Sequence, residues 1–348
     1  MVELVSGKSR EMLKRGNCFD VIRYYLAFVV VFAHFSVLTG ANNFNWITNS
    51  GEAVSGFFTL SGFLVFYSFI RNPSLKKYAL KRVRRIFPPY FFIVALCVIA
   101  GAFLTILSPG EYFSSTMLYK YIVANCSFLN FIEPNLPGVF VDNVMSAVNG
   151  SLWTMKVELM LYASVPIVYF FFKRFNKLAV LVVIFALSIG YREIFLYLYE
   201  VKGNTAYEML ARQVGAQLVY FYSGTAILLY FEHFQRYVKY LLPAALILYV
   251  GRYYVDSLQF VAPFSFAILI IGIAYNVKFL NIFSRFDNVS YGVYLFHFPV
   301  IQTIVHFQLH EYSYALALLT AIFGTVALAC LSWKFIEKPI LNRGKVRP

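Results

Sequence analysis

Apolar positions along this chain gather into solid runs instead of alternating with polar ones. Charge-free stretches cover 24–51, 53–70, 86–110, 213–231, 257–277, 288–310 and 312–333, and three weaker ones, 152–172, 178–198 and 240–255, hold one or two charges each. A spanning helix needs about 20 mostly apolar residues. The pattern therefore predicts an all-α, polytopic membrane helix bundle of about ten transmembrane helices, over 19–38, 53–70, 86–107, 152–172, 178–198, 213–231, 239–255, 258–276, 289–309 and 313–334. A β-barrel would require period-two alternation, which is absent. With no repeat or low-complexity tract in view, residues 1–348 are expected to form a single integral membrane domain.

Composition agrees. Of 348 residues 60% are hydrophobic and 13% charged, where a soluble domain carries about 25% charged residues; the mean hydropathy is +0.67. A soluble enzyme, a disordered chain and a disulfide-stapled secreted protein are excluded. The four cysteines show no metal-type spacing, and Cys126, in the long 108–151 connection, is expected to lack a disulfide partner.

Charge sets the orientation. With the N-terminus in the cytosol, 23 of the 30 Lys and Arg residues fall in inner segments and only Lys120, Lys202 and Arg212 in outer ones. Both termini are thus expected in the cytosol, in a multi-pass protein of the cytoplasmic (inner) membrane. The net charge of +14 reads as topology plus attraction to anionic membrane lipids, not as nucleic-acid binding. The first apolar run follows basic residues as in a signal peptide, but it is too long and lacks a small-residue cleavage site, so it is expected to stay in the protein. The 108–151 connection, with Pro109, Pro134 and Pro137, is expected outside as a loop.

Ionisable residues within spans are costly and mark function. Arg23 and His34 are eleven residues apart, which places them on one helix face about 16 Å apart in height. Glu158 enters from the opposite side, about 9 Å below its span's outer end, so His34 and Glu158 are expected at similar depth. A carboxylate orienting an imidazole makes a general base; equally, His34 can bond a neighbouring carbonyl while Glu158 snorkels to the interface. Arg82 and Arg85, in a basic segment ending Arg84-Arg85-Ile86-Phe87-Pro88-Pro89, share a helix face and can fork onto a polyanion, or can simply fix topology. Pro88 and Pro89 suit the first turn of the third span. His297 lies mid-span, with Pro299 marking a kink or break. No His, Asp or Glu trio has metal spacing, and no phosphate-binding glycine loop or serine elbow is present.

Phe19-Asp20-x-x-Arg23-x-x-Ala27-x-x-x-Val31-x-x-His34 resembles the first-helix signature of the acyltransferase family 3 membrane proteins. Further segments resemble that family in order: Phe57–Leu64 around Ser61, Arg82-x-x-Arg85-Ile86-x-Pro88, Ser151-Leu152-Trp153 through Glu158, Ser290–Pro299 and Phe335-Ile336-Glu337-Lys338-Pro339. The resemblance runs from Phe19 to about Lys345 and implies a ten-helix core. It implies O-acylation, usually acetylation, of an extracytoplasmic or lipid-linked carbohydrate, with cytosolic acyl-coenzyme A as co-substrate and no metal. The chain ends shortly after its last expected span, as in stand-alone members without a fused esterase-like domain. By the same resemblance His34 is the catalytic base and Arg23, Arg82 and Arg85 bind the donor. Glu158 orients His34, binds the acceptor or holds helices together, while Ser61, Trp153, Tyr162 and His297 match family positions on the acceptor side. A homo-oligomer is compatible with all of this. The rival reading is a transporter or flippase for a lipid-linked saccharide; a non-catalytic scaffold would leave His34 and Glu158 unexplained.

Overall fold

The computed structural model describes residues 4–14, 16–41, 49–277, 279 and 287–342. Arg15, Lys278, Arg285, Arg343, Lys345 and Arg347, counted above among the inner basic residues, lie outside them. Among the described residues no β-strand occurs, and ten helices of at least 15 residues stand where the apolar runs lie. They are α1 (Phe19–Leu38), α2 (Ser50–Arg71), α3 (Leu75–Leu104), α4 (Trp153–Arg174), α5 (Lys177–Lys202), α6 (Val214–Leu229), α7 (Phe231–Gly251), α8 (Ala262–Asn276), α9 (Ser290–His306) and α10 (Tyr314–Ser332).

Six of these, α1 to α5 and α10 with its continuation to Asn342, are long and apolar enough to cross a membrane. The segments Thr205–Leu229 and Phe231–Gly251 qualify as a pair bent by 107°, which makes up to seven. The expected count of ten is narrowed because α8 has only 15 residues and α9 only 17; at 1.5 Å per residue they reach about 22–26 Å of a core about 30 Å thick.

Three local expectations are corrected. Pro88 and Pro89 lie inside α3, not in its first turn. The helix starts eleven residues early because the basic segment, rich in Lys, Arg, Leu and Ala, is itself a good helix former. Pro299 lies inside α9, which runs through it unbroken. The 108–151 connection is not a plain loop: it holds helices Pro109–Ser114 and Thr116–Cys126. The first of these is closed by a capping box between Ser108 and Glu111.

The chain groups into two compact units, each described by itself. The first comprises Met1–Arg23, Val54–Tyr78 and Val157–Phe286. Its centre is the crossing of α2 and α6, where backbones touch. A Cβ on Gly62 would stand 1.7 Å from the Phe221 carbonyl oxygen, and one on Gly224 would stand 2.1 Å from that of Thr59. Thr225 donates to the Gly62 carbonyl at 2.9 Å across the same crossing. Apolar burial drives no association between helices in lipid, so such small-residue contacts and interhelical hydrogen bonds hold spans together. A proline device recurs here. Pro166 in α4 has no N–H for the Tyr162 carbonyl, and the buried Tyr78 hydroxyl donates to that carbonyl at 2.9 Å.

The second unit comprises Tyr24–Ala53, Ala79–Lys156 and Asp287–Pro348. Gly292 lets α9 approach α10, where an added Cβ would meet Ala329 at 2.9 Å. The two short helices of the 108–151 segment pack on α3 through buried tyrosines. Tyr112 donates to the Val98 carbonyl and Tyr90 to the Asn125 carbonyl.

Gly62→Ala is expected to lower the melting temperature of the detergent-solubilised protein, since overpacking costs about 1–3 kcal/mol. Gly190→Ala, whose methyl would meet nothing within 4 Å, should hold or raise it. Scanning fluorimetry of both variants checks the pair.

Candidate active site

α1 and α9 bring His34 and His297 together in the second unit. Nδ1 of His34 lies 2.7 Å from Nε2 of His297, and Nδ1 of His297 lies 2.7 Å from the Tyr294 carbonyl oxygen. The ring planes differ by 11° with centroids 5.0 Å apart, so the imidazoles meet edge to edge in one plane and share an in-plane N–H···N bond. A carbonyl can only accept. Nδ1 of His297 therefore carries the proton, its Nε2 accepts, and Nδ1 of His34 must donate to it. The unshared lone pair of His34 is left on Nε2. His297 is fully buried, whereas His34 keeps part of its surface exposed. The orienting partner at Nδ1 of His34 is thus an imidazole that the sequence reading had placed on the acceptor side.

The turn that carries His297 is unusual. Pro299 cannot donate to the Leu295 carbonyl four residues earlier, and Nδ2 of Asn149 does so instead at 2.9 Å. The Oδ1 atom of Asn149 accepts from the Ser151 hydroxyl at 2.7 Å and from its backbone N–H at 3.2 Å. The hydroxyls of Thr154 and Tyr294 are 2.7 Å apart. Gly150 passes so close that a Cβ there would stand 2.7 Å from the Phe298 ring. One turn further on, buried Gln302 donates to the Met145 and Ala147 carbonyls, both at 2.6 Å. Sequence reasoning missed Asn149, Thr154, Tyr294 and Gln302. The one available signal was Pro299, which announces that Leu295 needs a donor from elsewhere.

Arg82 and Arg85 share a face of α3, as expected from their spacing. Arg85 is held on three sides. Its Nη1 donates to Glu337 at 3.4 Å, and its guanidinium carbon lies 5.3 Å from the Tyr291 ring centroid and 5.7 Å from that of Trp333. Glu337 is buried and closes a π-helical turn, Trp333–Glu337. Such turns often occur at functional sites. The neighbouring Lys338 bonds Asp287 at 2.7 Å and holds that carboxyl below the usual aspartate range.

In the first unit Arg23 pairs with Asp20 at 3.1 Å. Ser61, Tyr162 and Glu158 are brought into a row there: the Ser61 and Tyr162 hydroxyls are 3.4 Å apart, and Tyr162 donates to Glu158. Trp153 opens α4 and is half-buried. Among the described residues no group of three or more His, Cys, Asp or Glu could hold a metal ion. The constellation can therefore remove a proton at one nitrogen and hold an anion on guanidinium groups.

Proteins similar to the chain carry names of one kind of chemistry and one of biology. An O-acetyl transferase of Shigella phage Sf6 is 27% identical over 346 residues, covering 95% of this chain and 98% of that protein. Nodulation protein 10 of Rhizobium leguminosarum bv. viciae is 28% identical over 354 residues, covering 94% of this chain and 93% of its own. No solved structure matches. The model of acyltransferase family 3, described as an acyltransferase domain, matches residues 17–334, and with that span the chain belongs to this family of acyltransferases.

Proposed function

We propose that this multi-pass membrane acyltransferase moves an acetyl group from cytosolic acyl-coenzyme A to a hydroxyl of an extracytoplasmic or lipid-linked carbohydrate. One observation carries the reading: the chain from the Tyr294 carbonyl through His297 to His34, which leaves a basic nitrogen on a partly exposed imidazole. The name of the phage relative supports acetyl as the group transferred.

In this reading the donor's phosphates bind Arg82 and Arg85, with Arg23 as a third cation, and charge-assisted bonds from planar guanidiniums suit that task. Nε2 of His34 takes the proton from the acceptor hydroxyl as its oxygen attacks the thioester carbonyl. The tetrahedral intermediate then collapses, the carbon–sulfur bond breaks, and the proton passes from Nε2 to the departing coenzyme A sulfur. The ester and free thiol leave, and His34 is again neutral. Throughout, His297 holds the other edge of the ring. Ser61, Tyr162 and Glu158 form an acceptor-side hydrogen-bonding row, with Trp153 as an aromatic face for a sugar.

His34→Ala is expected to abolish the acyl mass increment on surface glycans of cells carrying the gene, with expression unchanged. General base catalysis contributes about 10²–10⁴-fold, so full esterification in that variant would remove His34 from the chemistry. The glycan itself should still reach the surface; its loss would favour transport of a lipid-linked saccharide instead.

Arg85→Ala in purified protein should raise the dissociation constant for coenzyme A at least about tenfold, since a charge-assisted hydrogen bond contributes about 1.5–3 kcal/mol. Arg85→Lys should recover only part of it. Calorimetric titration with coenzyme A checks this, and unchanged affinity in both variants would move the donor elsewhere.

A further inference from the structure

We propose that Asn149 is a positioning residue of the acyl-transfer site: by capping the carbonyl that Pro299 leaves open, it fixes the helical turn that aims His297 at His34. The inference rests on the reading of His34 as base.

Three observations meet at this point. Proline at 299 deprives the Leu295 carbonyl of its partner within α9, and that carbonyl lies two residues before His297 in the same turn. The Asn149 amide, itself buried, supplies the missing donor from a segment 146 residues distant in sequence. The same segment grips Tyr294 through the Thr154 hydroxyl, and the Tyr294 carbonyl in turn sets the tautomer of His297. Asn149 is fully employed in the process. Its nitrogen serves Leu295 while its oxygen is taken up by Ser151. A side chain with only an acceptor, or only a donor, could not fill both roles.

A proline here also has a use. An ordinary residue at 299 would close the ladder within α9 and make the turn independent of the 149–154 segment. With proline, the turn is right only when that segment is docked. The geometry of the base is thereby made conditional on the Ser151-Leu152-Trp153 stretch being seated, and this stretch leads directly into the span that carries Glu158.

A mutant cycle tests this without knowledge of the acceptor. Asn149→Asp keeps the oxygen that serves Ser151 and removes only the donor; Asn149→Ala removes both. Each is made with Pro299 and with Pro299→Ala, which restores an N–H to the Leu295 carbonyl. Purified full-length protein in detergent is treated with diethyl pyrocarbonate, which acylates accessible, unprotonated imidazole nitrogens, and peptides containing His34 and His297 are quantified by mass spectrometry. In the parent protein His34 should react and His297 should stay protected. Both Asn149 variants should expose His297 and cut the acyl increment on surface glycans about fivefold or more, while in the Pro299→Ala background the same changes should cost less than about half as much on a logarithmic scale. The Pro299→Ala background also supplies a folded reference should either single variant fail to fold.

Protection of His297 and full esterification in both Asn149 variants would overturn the proposal. So would equal losses in the two backgrounds, which would mean that Asn149 acts through something other than the open carbonyl. The base reading fails separately: full esterification in His34→Ala sinks it, whatever the labelling of His297 shows.

Discussion

A backbone carbonyl inside a bilayer has no water to turn to, and each proline within a helix leaves one such group without its ladder partner. Leaving it buried and unpaired costs about 1–3 kcal/mol, a sizeable part of the few kcal/mol by which a domain is stable. Twice in this protein a distant side chain meets that demand, and both times in a turn that bears candidate chemistry. Asn149 caps Leu295 in the turn of His297, and Tyr78 caps Tyr162 in the turn below Glu158. A straight helix could have kept both carbonyls satisfied by itself. With proline, the local backbone is tied to tertiary partners, and the orientation of the active side chains becomes a property of the assembled unit.

The pairing of two imidazoles has a different electrostatic character from that of an imidazole with a carboxylate. A carboxylate stabilises the imidazolium by charge, but burying it in low dielectric is expensive unless it is fully hydrogen-bonded. A neutral His297 avoids that cost and still fixes tautomer and ring plane. When His34 takes up a proton at Nε2, its Nδ1 proton can shift towards His297, whose own Nδ1 already points at the negative end of the Tyr294 carbonyl dipole. The positive charge is then spread over two rings in one plane. Because only an in-plane contact transmits a proton in this way, the geometry of the turn around Pro299 governs the chemistry at His34.

Much of the architecture is written in the apolar runs, since every one of them became a helix. Their ends were less legible. The start of α3 was hidden because Pro88-Pro89 reads as a helix beginning, while the stronger effect was the helix propensity of Lys76 through Arg85. The helices within 108–151 were hidden by prolines and aromatics, although Ser108 and Glu111 carry the spacing of a capping box. His34 and Arg85 were legible from the oddity of a charge or imidazole near a span. Their partners were not. His297 stands 263 residues from His34 and Glu337 stands 252 from Arg85, and no local periodicity connects residues so far apart. Tyr162, four residues after Glu158, was legible as an i,i+4 neighbour.

Arg85 shows why a site can demand one cation and refuse another. Two aromatic faces and a single carboxylate oxygen occupy the flat sides and one edge of the guanidinium. A planar, delocalised cation can be sandwiched in this way and keep further N–H groups for an anion, whereas an ammonium would concentrate its charge at one point and lose the stacking. The carboxylate that steadies it is buried, at 2% side-chain exposure against 31% for Arg85, so Glu337 has little water to fall back on and depends on Arg85 and Ser332 for its bonds. The π-helical turn that ends in Glu337 widens the helix by one residue per turn, which brings Trp333 and Glu337, four apart, to the same guanidinium. The closing Phe335–Pro339 stretch thus has a physical task in the donor end of the site: it converts an arginine on α3 from a flexible surface cation into one of fixed direction.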